Sequence, residues 1–143
     1  MNVKLLILLM LGIWLGMVLG ISFLEAPLKF RAPNITLTLG LGIGKLVFTA
    51  LNKFESVFAV LLMAWGAFQY KSLNTVLLVA LGLLVLLIVL QSFWLLPILS
   101  TRADQLIAGV EVAKTNHHFY YVAMEIIKVG LLLFSFIKIY HHE

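Results

Sequence analysis

Cysteine is absent from the 143-residue chain, and charged residues make up only 11% of it. The lack of cysteine excludes disulfide bonds, cysteine-ligated zinc, iron–sulfur clusters and thiol catalysis. The lack of charge excludes a soluble globule, in which about 25% of residues are charged, and the aromatic content argues against disorder. Since 63% of the residues are hydrophobic and the mean hydropathy is +1.12, the composition predicts an integral membrane protein, with residues 1–143 forming a single membrane domain.

Long apolar runs predict an all-α fold with four transmembrane helices in an antiparallel bundle, because each span needs about 20 apolar residues. The predicted spans are residues 5–24, 54–70, 73–96 and 119–140. The polar connections 25–53 and 97–118 are expected to contain interfacial helical segments, and Pro27 and Pro97 are expected to end helices. The first run is longer than the apolar core of a signal peptide, so we expect it to remain a helix.

The positions of the lysines and arginines predict the orientation of these spans. Six of the ten lie in the two long connections and three lie on the opposite side of the spans. Cytoplasmic loops carry the excess of positive charge, so the long connections are predicted to be cytoplasmic and both termini outside, in a plasma or inner membrane. These basic residues form no patch, so the expected partner is the lipid bilayer and no nucleic acid is expected.

The first predicted span carries a ridge of small residues at Gly12, Gly16 and Gly20. Glycines four residues apart strip one helical face of side chains and let another helix approach closely in lipid. The ridge is therefore expected to pack against a helix of this chain or to form an interface with another copy or another membrane subunit. Both interpretations are structural.

Polar residues recur every seven positions before and within the last predicted span. One series is Asp104, Glu111, His118 and Glu125, and a second is Lys114, Tyr121 and Lys128. If one helix ran from the second connection into the membrane, all seven residues would lie on a single face. Such a face cannot be turned toward lipid, so it is expected to face the interior of the bundle.

Two lysines in the last span cannot both reach an interface. Lys128 and Lys138 are separated by about 15 Å of helix, which is less than the hydrocarbon thickness. We therefore expect Lys128 to be buried and paired with Glu125, one turn away. Gln91 lies at a similar depth and is a candidate neighbour, as are His118, Tyr121 and Glu111 on the polar face. An intramembrane ionisable pair is a candidate site for a proton, an ion or a solute, although it can also be structural or dock a partner subunit.

Metal and enzyme chemistry have weaker support in the sequence. His117 and His118, at the predicted cytoplasmic mouth of the bundle, are weak metal-ligand candidates together with Glu55, which is expected on the same side, since imidazole and carboxylate suit zinc, iron or copper. Adjacent histidines point about 100° apart on a helix, so a plain interfacial pair is the alternative. No Ser-His-Asp set, HExxH motif or complete phosphate-binding loop is present. We therefore expect no cofactor beyond a metal ion and do not favour an enzyme.

One segment resembles a known family. The residues from Phe23 to Phe30 resemble the F-x-x-x-P-x-x-F segment of the TMEM205-like (DUF4149) membrane proteins. Lys45–Phe48, Leu96–Thr101 and Asn116–Phe119 fall where that family has comparable features, and the likeness covers Gly12 to Phe134. The resemblance implies a four-helix membrane domain, but supplies no catalytic residues. Glu125 and Lys128 depart from the family pattern.

These observations lead to three functional hypotheses. The first is a non-enzymatic membrane protein that binds or moves a proton, a metal ion or a small solute at the polar face of the fourth helix. The second is a non-catalytic structural or assembly subunit of a larger membrane complex. The third is a membrane enzyme with a polar site at the mouth of the bundle.

Overall fold

The structure, a computed structural model, describes residues 3–141, and within them it contains helices and no strand. Four long helices follow one another along the chain. They are α1 (Val3–Arg31), α2 (Leu37–Gln69), α3 (Thr75–Ile107) and α4 (His117–Tyr140). The predicted all-α class is confirmed. Helix α1 packs against α4, α2 packs against α3, and α3 also packs against α4.

Three of these helices, α1, α2 and α3, are long and apolar enough to cross a membrane. Helices α2 and α3 have 33 residues each, which at about 1.5 Å per residue gives about 50 Å, more than the hydrocarbon core of about 30 Å. Their ends therefore extend well beyond the length that a membrane span requires. Helix α4 is shorter, with 24 residues, and carries buried charge.

The connections are much shorter than predicted. The predicted polar connections 25–53 and 97–118 are mostly helical, and the non-helical stretches are residues 32–36 and 108–116. The segment expected at the interface before the second span is the first half of α2, because Thr36 caps that helix by accepting a hydrogen bond from the backbone N–H of Leu39. Helix starts are set by such caps, which lie well outside the apolar runs that define a span.

The prediction that Pro27 ends the first helix is wrong. A proline inside a helix lacks a backbone N–H, and its ring collides with the carbonyl four residues earlier. In α1, the π turn Leu19–Glu25 precedes the proline, and the N–H of Ala26 bonds to the carbonyl of Ile21, five residues back. The wider turn changes the hydrogen-bond register just before the proline, so the helix continues.

Pro97 is accommodated in α3 in the same way. The π turn Gln91–Leu95 precedes it, and the N–H of Leu96 bonds to the carbonyl of Gln91, again five residues back. Helix α3 therefore continues to Ile107. Both predictions of a proline stop are wrong for the same physical reason.

The buried residues of each helix show how it is rotated about its axis. The buried face of α1 consists of Ile7, Leu8, Met10, Leu11, Trp14 and Val18. The glycine ridge lies outside this face. A Cβ added to Gly12 would lie 3.8 Å from Phe136, whereas one added to Gly16 or Gly20 would meet no atom within 4 Å. Packing within the chain thus reaches only one end of the ridge, and an interface with another copy or subunit stays a prediction.

Candidate functional site

A lysine between two carboxylates forms the centre of the candidate site. The Nζ of Lys128 donates hydrogen bonds to Glu55 Oε1 and to Glu125 Oε1, each at 2.6 Å. The exposed fractions of Glu55, Glu125 and Lys128 are 0%, 1% and 0%. We call these three residues the buried triad. The predicted pairing of Glu125 with Lys128 is present, and Lys138 on the same helix is exposed.

Neutral donors from two other helices also bind the carboxylates of the buried triad. Trp14 Nε1 donates to Glu55 Oε1 at 2.9 Å, and Ser22 Oγ donates to Glu125 Oε2 at 2.6 Å. Gln91 Nε2 donates to Glu125 Oε1 at 2.7 Å. Buried charges need such partners, because an unpaired charge in a low-dielectric interior is very costly. All four helices therefore contribute to one hydrogen-bond network.

The π turns lie at the points where α1 and α3 reach this network. Ser22 lies within the π turn of α1, and Gln91 is the first residue of the π turn of α3. Single π turns inside α-helices occur frequently at functional sites, since they change which way the local side chains point. Here each π turn contains one of the two neutral side chains, Ser22 and Gln91, that donate to Glu125.

The buried triad contains one carboxylate more than its lysine can neutralise. With both carboxylates ionised, the three side chains would carry a net charge of −1 inside an apolar core. Glu125 accepts hydrogen bonds on both oxygens. Glu55 Oε2, by contrast, has no hydrogen-bond partner, and Gln91 Oε1 and Ser135 Oγ are the other buried side-chain atoms without one among the described residues. The buried triad therefore has too few hydrogen-bond donors and too little positive charge to satisfy two ionised carboxylates.

A large open cavity reaches the buried triad. It has a volume of about 520 Å³, is lined by all four helices, and includes Ser22 and Glu125 among its lining residues. We call this cavity the vestibule. Tyr121 and His118 also line it, and the Tyr121 ring packs edge-on against Phe48 with centroids 5.4 Å apart. Glu125 thus belongs both to the buried triad and to the wall of the vestibule.

Two lysines line the vestibule, and each is paired with an acidic residue. Lys29 Nζ lies 3.3 Å from Glu25 Oε2, and Lys45 donates to Asp104 at 2.6 Å. Each of these pairs is neutral as a unit. The rest of the lining is mostly apolar, so the vestibule suits a small solute with an apolar body.

The predicted polar seam is interrupted. Helix α3 ends at Ile107 and α4 begins at His117, so Glu111 lies in the non-helical stretch 108–116, where it is exposed. The prediction that Glu111 shares a helical face with Glu125 is wrong, because no single helix spans the two positions. His118, Tyr121, Glu125 and Lys128 remain on α4.

The weak metal candidates are not brought together. His117 is hydrogen-bonded to Thr115 and packs near the rings of Trp94 and Tyr120. Glu55 was expected at the same mouth, but it lies in the buried triad. Within residues 3–141, no group of three or more His, Cys, Asp or Glu side chains could hold a metal ion.

Sequence reasoning missed three members of the network. It placed Glu55 near the mouth because the second span was expected to begin at residue 54, whereas α2 begins at Leu37. Trp14 and Ser22 were not singled out, because apolar runs contain many such residues. A signal for Ser22 and Glu55 existed in the recurrence of Ser-Phe-x-x-x-Pro at residues 22–27 and 92–97, an offset of 70 that also separates Glu55 from Glu125. No such signal marks Trp14, whose counterpart at this offset is Leu84.

Comparison with protein families, with curated proteins and with solved structures finds no match for this chain. The resemblance to TMEM205-like proteins therefore rests on the short motifs quoted above. The buried triad and the vestibule are the features of the described residues that bear on function.

Removing the buried ammonium tests whether the triad is an electrostatic unit. We expect Lys128→Met to lower the free energy of unfolding by about 3–5 kcal/mol, because it leaves buried carboxylates without their cation. Denaturation of the detergent-solubilised protein measures the change. The matched control is Lys138→Met, an exposed position on the same helix, and its effect should stay within about 0.5 kcal/mol. Equal stability of the two variants would contradict the buried ion pair.

Proposed function

We propose that this chain is a four-span membrane protein that binds a small solute or ion in the vestibule and takes up or releases a positive charge at the buried triad. In this proposal α4 is the fourth span. Its buried Glu125 and Lys128 contact α1, α2 and α3, which separate them from lipid. An ionisable group at membrane depth that faces the bundle interior marks substrate or ion pathways in membrane proteins.

The main support for the proposal is that Glu125 belongs both to the buried triad and to the wall of the vestibule. Its carboxylate is bound to Lys128 in the interior, and the same residue lines the open vestibule. A purely structural ion pair needs no access to a cavity. Glu125 therefore supplies the route by which a proton or another small cation passes between the vestibule and the buried triad.

The depth of the triad fits this function. Lys128 lies 11 residues after the start of α4, or about 16 Å along a helix that is about 36 Å long. A helix of that length exceeds the hydrocarbon thickness of about 30 Å, so the ammonium lies near the middle of the proposed span. A positive charge that reaches this point has crossed about half of the barrier.

Proton flux provides the test of function. The purified protein is reconstituted into liposomes that contain a pH-sensitive dye. A potassium gradient with valinomycin then imposes a membrane potential that drives protons into the liposomes. We expect Glu125→Gln to slow dye acidification about tenfold or more, a loss of about 1.4 kcal/mol of barrier stabilisation, since the amide cannot carry the proton. Glu111→Gln, the same chemical change at an exposed position outside the network, should retain wild-type flux. Wild-type flux in a folded Glu125→Gln protein, or no flux in the wild type, would contradict the proposal.

The proposed orientation places both termini outside and the vestibule side in the cytoplasm, following the excess of lysine and arginine on that side. The cysteine-free chain makes this directly testable with single substitutions. A membrane-impermeant maleimide applied to intact cells should label Lys71→Cys, in the short turn between α2 and α3, and should not label Thr115→Cys, in the stretch after α3. Labelling of Thr115→Cys alone would reverse the orientation, and equal labelling of both would contradict a spanning α3.

A further inference from the structure

Several residues of the two halves of the chain match when positions 70 residues apart are compared. Ser22, Phe23 and Pro27 correspond to Ser92, Phe93 and Pro97, and Glu55 corresponds to Glu125. Under this relation α1 corresponds to α3 and α2 to α4. The packing of α1 against α4 then corresponds to the packing of α3 against α2, and both contacts are present.

The backbone and the core follow the same relation. Each half contains a π turn in which the N–H before the proline bonds five residues back, from Ala26 to Ile21 and from Leu96 to Gln91. The buried faces also coincide. Ile7, Leu11, Trp14 and Val18 of α1 correspond to Leu77, Leu81, Leu84 and Ile88 of α3, all of them buried. The described residues therefore have the pattern of a repeated helix pair, in which the two carboxylates of the buried triad occupy equivalent positions.

The repeat is broken at the hydroxyls that serve these carboxylates. Ser22 donates to Glu125 Oε2 at 2.6 Å. The equivalent Ser92 does not reach Glu55, because it donates to Asn52 Oδ1 at 3.1 Å. The residue equivalent to Asn52 in the second copy is a valine, which offers no such acceptor to Ser22. Glu55 Oε2 therefore lacks the donor that its counterpart has.

The repeat is also broken at the ammonium. Lys128 in the second copy corresponds to Phe58 in the first, where the ring packs against Trp14 with centroids 5.8 Å apart. One lysine therefore serves two equivalent carboxylates. Glu125, which accepts three charge-stabilising hydrogen bonds, is the better site for the negative charge that pairs with Lys128. Glu55, with one oxygen unpaired, is the poorer site.

We propose that Glu55 Oε2 holds an exchangeable proton, so that the resting site consists of a neutral Glu55 beside a Glu125–Lys128 ion pair. The inference rests on the proposed function in treating the triad as the working site. A hydronium ion in the vestibule gives up a proton to the buried triad by way of Glu125, which lines the cavity. The net step forms an O–H bond at Glu55 Oε2 and leaves water in the vestibule. The charged groups acting on Glu55 are Lys128 and Glu125, both on α4. The neutral groups are Trp14 of α1, which donates to Glu55, and the nearby Tyr121 hydroxyl of α4, whereas Gln91 of α3 donates to Glu125 instead.

A proton fits this position better than a metal cation does. A hard cation requires about six or more oxygen ligands, whereas Glu55 does not line the vestibule and has one oxygen free. A proton needs no additional space. The unpaired carboxylate and amide atoms of the network, Glu55 Oε2 and Gln91 Oε1, are both acceptors. A proton on Glu55 Oε2 turns this atom into a hydrogen-bond donor.

Infrared spectroscopy of the whole protein tests the location of the proton. In a maltoside detergent, which has no ester carbonyl, the wild type at neutral pH should show the carbonyl band of a protonated carboxylic acid. Glu55→Asp should shift the frequency of this band, and Glu125→Asp should leave the frequency in place. Absence of the band in the wild type, or a shift in Glu125→Asp alone, would overturn the proposal.

Glu55→Gln keeps the test decisive if the aspartate variants do not fold. An amide has the shape and the neutral charge of a protonated glutamate, so this variant should keep the wild-type melting temperature and lose the band. A loss of stability as large as that of Lys128→Met would mean that Glu55 is charged and would overturn the proposal. Flux and band are independent readouts. A wild type with the band and no flux contradicts the proposed function alone, whereas flux with no band contradicts the proton at Glu55 alone.

Discussion

The arrangement of the four helices depends on one buried ammonium group. Lys128 can remain in an apolar interior only while carboxylates neutralise it, and its two partners lie on α2 and α4. Those carboxylates in turn bind Trp14 and Ser22 of α1 and Gln91 of α3. Each helix therefore has one rotation that satisfies the network, which explains why the glycine ridge of α1 lies outside the core.

A network of this kind specifies a structure more than it stabilises it. Replacing buried ion pairs by well-packed apolar residues is often neutral or stabilising, whereas removing one partner is strongly destabilising. The apolar core of the described residues consists mainly of leucine and isoleucine, and such a core would tolerate several rotations of its helices. The polar contacts select one of them and also place Glu125 at the vestibule, so the same residues serve the fold and the proposed function.

The sequence was sufficient to predict the helical class, the buried Lys128 and its pairing with Glu125, because these follow from the scarcity of charge and from the distance between lysines. It was also sufficient to place Gln91 beside Glu125 from depth alone. The helix ends could not be predicted, because caps such as Thr36 and π turns before prolines are not encoded by hydropathy. This error misplaced Glu55. The residue was expected at the start of a span that begins at residue 54, whereas α2 begins 17 residues earlier, at Leu37, and Glu55 lies inside that helix.

The internal repeat connects these observations. Two copies of a helix pair would place two equivalent glutamates face to face, and like charges in an apolar core repel strongly. One lysine between the two carboxylates relieves that repulsion. Asn52 accepts the hydroxyl of Ser92, so the two carboxylates do not have the same donors. An asymmetric pair of carboxylates, of which one is fully bound and one is not, is suited to holding a proton that can leave.

The most direct test of the central claim is a double-mutant cycle between Glu125 and Lys128. The free energy of unfolding is measured for the wild type, Glu125→Gln, Lys128→Met and the double variant. If the buried ion pair organises the site, the double variant is more stable than the sum of the single effects predicts, with a coupling of about 1–3 kcal/mol. Effects that add within about 0.3–0.5 kcal/mol would show that the two charges do not depend on each other and would contradict the account.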